Sequence, residues 1–170
     1  MREIVVYPHP VLLKKAEPVT VFDEELTRLT AEMHQIMIKA DGVGLAAPQV
    51  AEGIQLCIID LSVGEDPDQL YILINPEFIE AEGSQKGEEG CLSFPDIITV
   101  VDRPYYVKIR SHNLAGDIVE VEAEGFLARA FCHEIDHLNG VVFTERVSTL
   151  KRNMIKKKIQ KRVKAGTWSR

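Results

Sequence analysis

The sequence predicts an α+β fold, with mostly antiparallel sheets around a central HExxH helix and with N-terminal and C-terminal helices. Three segments place apolar residues at the three- and four-residue spacing of an amphipathic helix. Between the first two segments the period changes, and runs rich in β-branched and aromatic residues follow one another without an intervening helix. Runs of strands bracketed by helices favour an α+β arrangement over a βαβ repeat.

Helix boundaries are predicted from capping and stop signals. The first helix is predicted over 23–40 and the second over 125–138, and each is followed by a residue pair that ends helices, Asp-Gly and Asn-Gly. The third is predicted over 148–164, with Ser148 as its N-cap. Between the first two helices, strands are predicted over 54–61, 71–75, 97–101, 105–111 and 118–124.

Length and charge set the next bounds. The 170 residues are expected to form a single catalytic domain, 1–170, in which 151–170 is a basic C-terminal helix and tail. With 45% hydrophobic and 27% charged residues, disorder, collagen and coiled coil are excluded as descriptions of the whole chain. Residues 151–170 carry nine basic side chains and no acidic one, whereas 1–150 carry 11 basic and 26 acidic side chains. The acidic body is therefore a poor nucleic-acid binder, and no DNA partner is expected.

The cysteine count indicates the compartment. The three cysteines, without a secretory signal, argue against a disulfide framework. The apolar part of MREIVVYPHPVLLKK is too short for a signal peptide, and no segment approaches the roughly 18 apolar residues of a membrane span. We therefore expect a cytoplasmic protein without a membrane partner, whose cysteines pack, bind metal or act as nucleophiles.

The strongest chemical signal is the HExxH motif of the second predicted helix. His133 and His137, four residues apart, lie on one helix face and can reach one metal ion. Glu134, beside the first histidine, can approach a water at that ion as a general base. The competing interpretation, two surface histidines on an amphipathic helix, is weaker because the motif lies on the helix that its geometry requires.

The third ligand must lie upstream of the motif. One group of HExxH enzymes continues HExxHxxGxxH, but Phe143 stands at the third histidine position and cannot bind metal. Another group uses a glutamate well downstream, and no acid follows Glu145. The candidates are Cys91, His112 and several acids. Cys91 is favoured because glycines around it suit a loop that bends closely around a site, and a thiolate binds transition metals better than a carboxylate.

The other cysteines are expected to pack. Cys57 lies inside the apolar run QLCIID, and Cys132 points about 100° away from His133 around the helix. A set of one cysteine and two histidines would leave a fourth position open, as in catalytic centres. Upstream, GVGLAAPQV (42–50) combines small residues that permit close backbone approach with Gln49, whose amide can donate to an oxyanion.

Taken together, GVGLAAPQV, EGCLSFP and HEIDHLNG resemble the motifs of the peptide deformylase family, in order and in spacing. The segments YPHPVLLKKAEPV and INPE resemble the family as well. The resemblance implies a hydrolase that removes the formyl group from N-terminal formyl-methionine of nascent polypeptides and releases formate. It implies attack by a metal-bound water with Glu134 as general acid/base.

The resemblance also assigns site residues. It implies Cys91, His133 and His137 as metal ligands, and Gln49 and the backbone N–H of Leu92 as groups that stabilise the oxyanion. The expected ion is Fe²⁺, which Zn²⁺ or Ni²⁺ can replace. Gly44 falls in the implied substrate-binding loop. Our candidates for the methionine pocket are Val43, Phe126 and Ala130, with core packing as the competing interpretation. The chain departs from the family at Cys132 and Leu13, where Gln and Arg are common.

Two other classes stay open at this stage. One is an HExxH protease that cleaves peptide bonds, and the other is a noncatalytic protein with a structural Cys-His-His site. The basic segment 151–170 also has two interpretations. It is either an amphipathic helix packed on the acidic body or a contact to ribosomal RNA near the nascent-chain exit.

Overall fold

A computed structural model describes residues 1–170 and contains the three predicted helices, with ends that agree to within one residue. They are α1 (Glu24–Lys39), α2 (Gly125–Leu138) and α3 (Thr149–Lys164). The Asp23 carboxylate accepts a hydrogen bond from the Leu26 N–H at 3.0 Å, and the Ser148 hydroxyl accepts one from the Lys151 N–H at 3.3 Å. These caps explain why the helix starts could be predicted. None of the helices is long and apolar enough to cross a membrane.

Seven strands form two antiparallel sheets. They are β1 (Gly44–Ala46), β2 (Leu56–Asp60), β3 (Leu70–Glu82), β4 (Gln85–Cys91), β5 (Phe94–Arg103), β6 (Tyr106–His112) and β7 (Ile118–Glu124). Five strands pair in the order β1-β2-β3-β6-β7, and β4 and β5 form a separate hairpin. The one parallel pairing is an isolated bridge between Glu17 and Ile54. The prediction of an α+β fold with mostly antiparallel sheets is confirmed.

Two strands were not predicted, and β3 continues seven residues past the predicted 71–75 segment. The glycine-rich segment around Cys91, expected to be a loop, is strand β4 up to Cys91, and only Leu92 and Ser93 turn before β5. Its sequence, QKGEEGC, hides the strand because charged residues and two glycines replace the alternation of apolar and polar side chains. The short strand β1 was also not predicted, since three residues carry too little periodicity.

Helix α2 packs against one face of the five-stranded sheet and α1 contributes to the core on the other. Cys57 and Ile59 of β2 belong to the cluster around α2, whereas Leu56 and Ile58 belong to the cluster around α1. Strand β2 is therefore buried on both faces and reads as a continuous apolar run. This sandwich fixes α2, and with it the HExxH motif, in the middle of the molecule.

A third apolar cluster lies between the β4–β5 hairpin and the two ends of the chain. Phe94 and Ile97 of β5 pack there with Phe143 and with Ile159 of α3. The rings of Phe94 and Phe143 meet edge to face with centroids 5.1 Å apart. The C-terminal helix is thus packed on the body through Ile159, its one buried residue, while its lysines stay exposed.

Candidate metal centre and active site

The two histidines of the HExxH motif lie one turn apart in the buried part of α2. Cys91, at the end of β4, reaches them from the hairpin, with its Sγ 3.3 Å from the Nε2 of His137. One potential ligand atom of each of Cys91, His133 and His137 lies within 4.8 Å of the others. The structure therefore brings together the three predicted ligands, which come from segments about 40 residues apart in the sequence.

This donor set fits a divalent transition metal. A thiolate and two imidazoles are ligands typical of zinc and of ferrous iron. Burial holds the pKa of His137 well below its ordinary value, which favours the neutral form that binds metal. No fourth histidine, cysteine, aspartate or glutamate joins the cluster. The protein thus leaves further coordination positions free, as in catalytic centres rather than structural ones.

The alternative metal-binding residues lie elsewhere. His112 is at the end of β6, where its ring packs against Phe22, and it does not join the cluster. Burial raises the pKa of the Cys57 thiol well above its ordinary value and that of Cys132 to about 11. Both thiols lie in the apolar cluster around α2, which is consistent with the expected packing role.

The Glu134 side chain is buried beside the ligands. Its Oε2 has no hydrogen-bond partner, and burial raises the pKa of this carboxyl to about 7. Gly44 of β1 lies against it: a Cβ on Gly44 would be 2.6 Å from Oε1 of Glu134, closer than a Cβ atom can approach. The absence of a side chain at position 44 therefore leaves room for the carboxylate.

The amide of Gln49 is held next to the turn after Cys91. Its Oε1 accepts a hydrogen bond from the Ala46 N–H at 3.0 Å, so its Nε2 points the other way. Nε2 lies 3.2 Å from the Ser93 hydroxyl and 3.6 Å from the Cys91 sulfur. The Leu92 N–H, in the same turn, donates to no other group of the protein. Two N–H donors are therefore aimed at the region of the ligands.

These residues border one cleft of about 960 Å³. All the predicted site residues except His137 line it: Val43, Gly44, Gln49, Cys91, Leu92, Phe126, Ala130, His133 and Glu134. The three pocket candidates differ in exposure, since Ala130 is buried, Val43 is half-buried and the Phe126 side chain is 55% exposed. A ligand in the cleft would therefore cover an aromatic ring that is now open to solvent.

Sequence reasoning missed a buried charged network behind His133. Glu89 accepts hydrogen bonds from Arg103 at 2.8 and 2.9 Å and from Arg129 at 2.8 Å. Its Oε1 also lies 2.9 Å from Nδ1 of His133, which leaves Nε2 of that ring for the metal. Burial acts to raise the pKa of Glu89, but the hydrogen bonds from Arg103 and His133 hold it well below its usual range.

Asp136 extends this network along α2. It accepts hydrogen bonds from Arg103 at 2.6 Å and from Arg146 at 2.7 Å. Glu89 and Asp136 lie inside two of the motifs identified in the sequence, EGCLSFP and HEIDHLNG, so their positions could have been recognised as candidates. No motif indicates Arg103 and Arg129, because only the fold brings them to the acids.

Comparison with known proteins identifies the family of the chain. The sequence model for polypeptide deformylase matches residues 1–153. A peptide deformylase from Acidobacterium capsulatum is 51% identical over 168 residues, covering 99% of each chain. Peptide deformylase 1 from Bacillus anthracis is 49% identical over 146 residues, covering 86% of this chain and 92% of the relative.

Solved structures show the same fold. A peptide deformylase from Legionella pneumophila superposes with a TM-score of 0.90 at 36% identity, covering 100% of this chain and 99% of the other. The Thermotoga maritima peptide deformylase superposes at 0.81 with 44% identity, covering 87% and 98%. The chain therefore belongs to the polypeptide deformylase family, hydrolases that remove the formyl group from the N-terminus of nascent polypeptides.

Proposed function

We propose that this chain, as a single catalytic domain, hydrolyses the formyl amide of N-terminal formyl-methionine in the cleft between α2 and the β4–β5 hairpin. The observation that carries the proposal is the meeting of Cys91, His133 and His137 next to the buried, partly unpaired carboxylate of Glu134. Metal-assisted hydrolysis of an amide uses a metal site with free positions together with a nearby base of near-neutral pKa.

We propose Cys91, His133 and His137 as the ligands of one divalent ion, Fe²⁺ by resemblance to the family, with Zn²⁺ or Ni²⁺ able to replace it. When bound, the ion supplies Lewis acidity to the formyl group and to the attacking water. Glu89 supports this assignment because its contact with Nδ1 of His133 orients the ring and leaves the other nitrogen for the metal.

Glu134 is the proposed general acid/base. Its carboxylate takes a proton from the attacking water and then delivers that proton to the nitrogen of the leaving amine, so that formate and a free N-terminus result. The pKa of about 7 suits both steps, since the group is then easily protonated and deprotonated near neutral pH. Gly44 contributes by leaving room for this carboxylate.

The amide of Gln49 and the N–H of Leu92 are the proposed oxyanion donors. As the formyl carbon becomes tetrahedral, negative charge develops on its oxygen, and donors that are already oriented stabilise it without reorganisation. Gln49 fits this role because the bond from the Ala46 N–H to its oxygen turns its Nε2 towards Ser93 and the metal ligand Cys91.

Val43, Phe126 and Ala130 are the proposed walls of the methionine pocket, with Gly44 on the substrate-binding side of β1. Covering the exposed ring of Phe126 with an apolar methionine side chain removes nonpolar surface from water. The pocket would hold the substrate so that its formyl group lies next to Glu134.

The finer assignments of place and partner are also proposals. Substrates of this kind are nascent chains, so we propose a cytoplasmic protein, without a DNA or membrane partner, that contacts the ribosome through the basic C-terminal helix at the exposed Lys156, Lys157 and Lys158. If so, replacing Lys156, Lys157 and Lys158 by Glu should abolish salt-sensitive ribosome binding. Binding that survives the replacement would exclude this surface.

The decisive experiment uses one anaerobically purified sample for metal analysis, formate release from formyl-Met-Ala-Ser and peptide-bond cleavage. The proposal predicts one metal per chain, formate release and intact peptide bonds, and it predicts low metal occupancy in Cys91→Ala. Cleavage of peptide bonds would indicate the protease alternative. Full metal loading without any hydrolysis would indicate a structural site.

A further inference from the structure

The active-site turn, residues 91–95, is held by the end of α3 and the residues after it, of which Ser169 and Arg170 also border the cleft. Arg170 donates a hydrogen bond from Nη1 to the Leu92 carbonyl at 2.9 Å. Arg162 donates from Nη1 to the Pro95 carbonyl at 2.6 Å. Two carbonyls of the turn therefore accept charge-assisted hydrogen bonds from guanidinium groups near the end of the chain.

Trp168 fastens this segment to the body. Its indole N–H donates to the Tyr7 carbonyl at 2.6 Å, and the Tyr7 N–H in turn donates to the Ser93 carbonyl at 2.9 Å. The indole ring meets Phe94 edge to face with centroids 6.4 Å apart, and the Arg162 guanidinium lies 5.0 Å from the indole centroid. Three carbonyls of the turn therefore accept hydrogen bonds, two from the C-terminal segment and one from the Tyr7 N–H that Trp168 holds in place.

We propose that Arg162, Trp168 and Arg170 form a C-terminal clamp that positions the active-site turn for catalysis, with Arg170 and Trp168 as positioning residues. The clamp lies beyond residue 153, where the match to the family model ends. This inference rests on the proposed function, because it assigns the clamp a role in the orientation of the Leu92 N–H and the Cys91 sulfur.

The contact geometry explains how the clamp acts. The Leu92 N–H and the Leu92 carbonyl belong to neighbouring peptide units joined at one α-carbon, and the hydrogen bonds to the carbonyls of Leu92, Ser93 and Pro95 restrict the turn as a whole, and with it the position of the N–H. Displacing a positioned group by about 1 Å can cost on the order of 100-fold in rate. Arg170 is exposed and makes one such bond. We therefore expect its loss to lower kcat by about fivefold, with a smaller change in KM.

The test compares Arg170→Ala, Arg170→Lys and Trp168→Phe with Lys164→Ala. Phenylalanine keeps an aromatic ring at position 168 but lacks the indole donor, and lysine at position 170 still offers one donor. Lys164 is exposed and lies on α3 near the clamp, so its variant is the matched control. The measurements are kcat and KM per metal-loaded enzyme on formyl-Met-Ala-Ser, and amide hydrogen exchange of residues 88–96.

We expect lower kcat and faster exchange in Arg170→Ala and Trp168→Phe, partial recovery in Arg170→Lys, and parental behaviour in Lys164→Ala. If Arg170→Ala and Trp168→Phe keep the parental kcat, the clamp proposal is refuted, whether or not hydrogen exchange is faster. An equal loss of kcat in Lys164→Ala overturns it too. If the parent protein itself releases no formate, the proposed function fails instead, and the two failures are therefore distinguishable.

Discussion

Two glutamates near His133 are buried to a similar extent, but their pKa values are shifted in opposite directions. Glu89 is 6% exposed and Glu134 is 5% exposed. Glu89 is surrounded by Arg103, Arg129 and His133, and its pKa lies well below the usual range. Glu134 keeps one oxygen without a partner, and burial raises its pKa to about 7.

The difference shows that pairing, rather than depth, decides what a buried carboxylate can do. Hydrogen bonds and positive charges stabilise the ionised form and lock the group as an anchor, here for a metal ligand. Without them, desolvation disfavours the ionised form, and the group can exchange a proton near neutral pH. Four substitutions test this comparison, from the largest expected effect to the smallest.

Glu134→Gln keeps the shape of the side chain and removes its capacity to carry a proton. We expect kcat to fall by about 1,000-fold, because general acid/base catalysis contributes on the order of 10²–10⁴, while metal content stays at the parental level. Formate release and elemental analysis on the same sample measure both. Glu124→Gln, an exposed glutamate at the start of the same helix, is the control. Near-parental turnover would refute the assignment of Glu134.

Glu89→Gln tests the glutamate whose carboxylate has hydrogen-bond partners. Gln keeps one acceptor for His133 but loses the charge that faces two arginines, so the ring is less firmly oriented. We expect metal affinity to fall by about 10- to 100-fold, the usual effect of losing such a partner. Competition with a metal-chelating dye measures it, again beside Glu124→Gln. Unchanged affinity would mean that the network stabilises the fold without orienting His133.

The same contrast explains how much of the site the sequence predicts. His133 and His137 follow from helix periodicity, because positions four residues apart share a face, and Glu134 follows from its place beside the first histidine. Cys91 follows from chemistry, since the HExxH continuation lacked a downstream ligand. The pairing of Glu89 could not be predicted, because its partners Arg103 and Arg129 lie 14 and 40 residues away in the sequence.

The fold divides in a similar way. The helices and the apolar strand β2 are encoded by local patterns, namely caps, apolar faces and continuous apolar runs. Strand β4 is stabilised by its partner β5 and carries charges and glycines that favour no structure locally. The packing of Trp168 and Arg170 on the active-site turn is likewise a long-range contact, across 78 residues between Arg170 and Leu92. Such contacts leave no periodic trace in the sequence.

The substitution Gly44→Ala is expected to move the carboxylate of Glu134 while leaving that residue unchanged. The new Cβ would lie 2.6 Å from Oε1 of Glu134, so the carboxylate has to move. We expect about a 10-fold loss of kcat, since general acid/base catalysis needs the carboxylate within hydrogen-bond reach of the reacting group. Gly53→Ala is the matched control, because a Cβ there meets nothing within 4 Å. Equal kcat in the two variants would show that the position of Glu134 is not limiting.

Asp60 tests whether hydrogen-bond partners also determine the pKa of a buried carboxylate that is not next to the metal ligands. It is fully buried, lies 2.8 Å from the Nε2 of His34 and accepts hydrogen bonds from the Ser62 hydroxyl at 2.6 Å and the Gly64 N–H at 2.9 Å. Burial opposes ionisation, but the bonds from Ser62, His34 and Gly64 lower the pKa of Asp60 below its ordinary value. By the comparison above, Asp60 should behave as Glu89 does.

The sign of the pH dependence follows from that lowered pKa. The unfolded chain binds the proton more readily than the folded protein, so the ionised carboxylate stabilises the fold above the unfolded pKa of about 4. This contribution is lost as the pH falls through the lower pKa of the folded protein. Asp60→Asn should therefore reduce the free energy of unfolding by about 2 kcal/mol at pH 7. The difference from the parent should shrink below about pH 4, because acid removes the same charge from the parent.

Urea unfolding at pH 7 and pH 3 measures this, with Asp117→Asn, an exposed carboxylate on the β6–β7 turn, as the control. A difference for Asp60→Asn that is independent of pH would mean that shape, rather than charge, stabilises the 60–66 loop. A loss confined to pH 7 would extend the behaviour of Glu89 to a site without metal ligands. Among Glu89, Asp60 and Glu134, only Glu134 would then have a raised pKa, because it lacks hydrogen-bond partners. Its position beside the metal ligands would not be needed to explain that raised pKa.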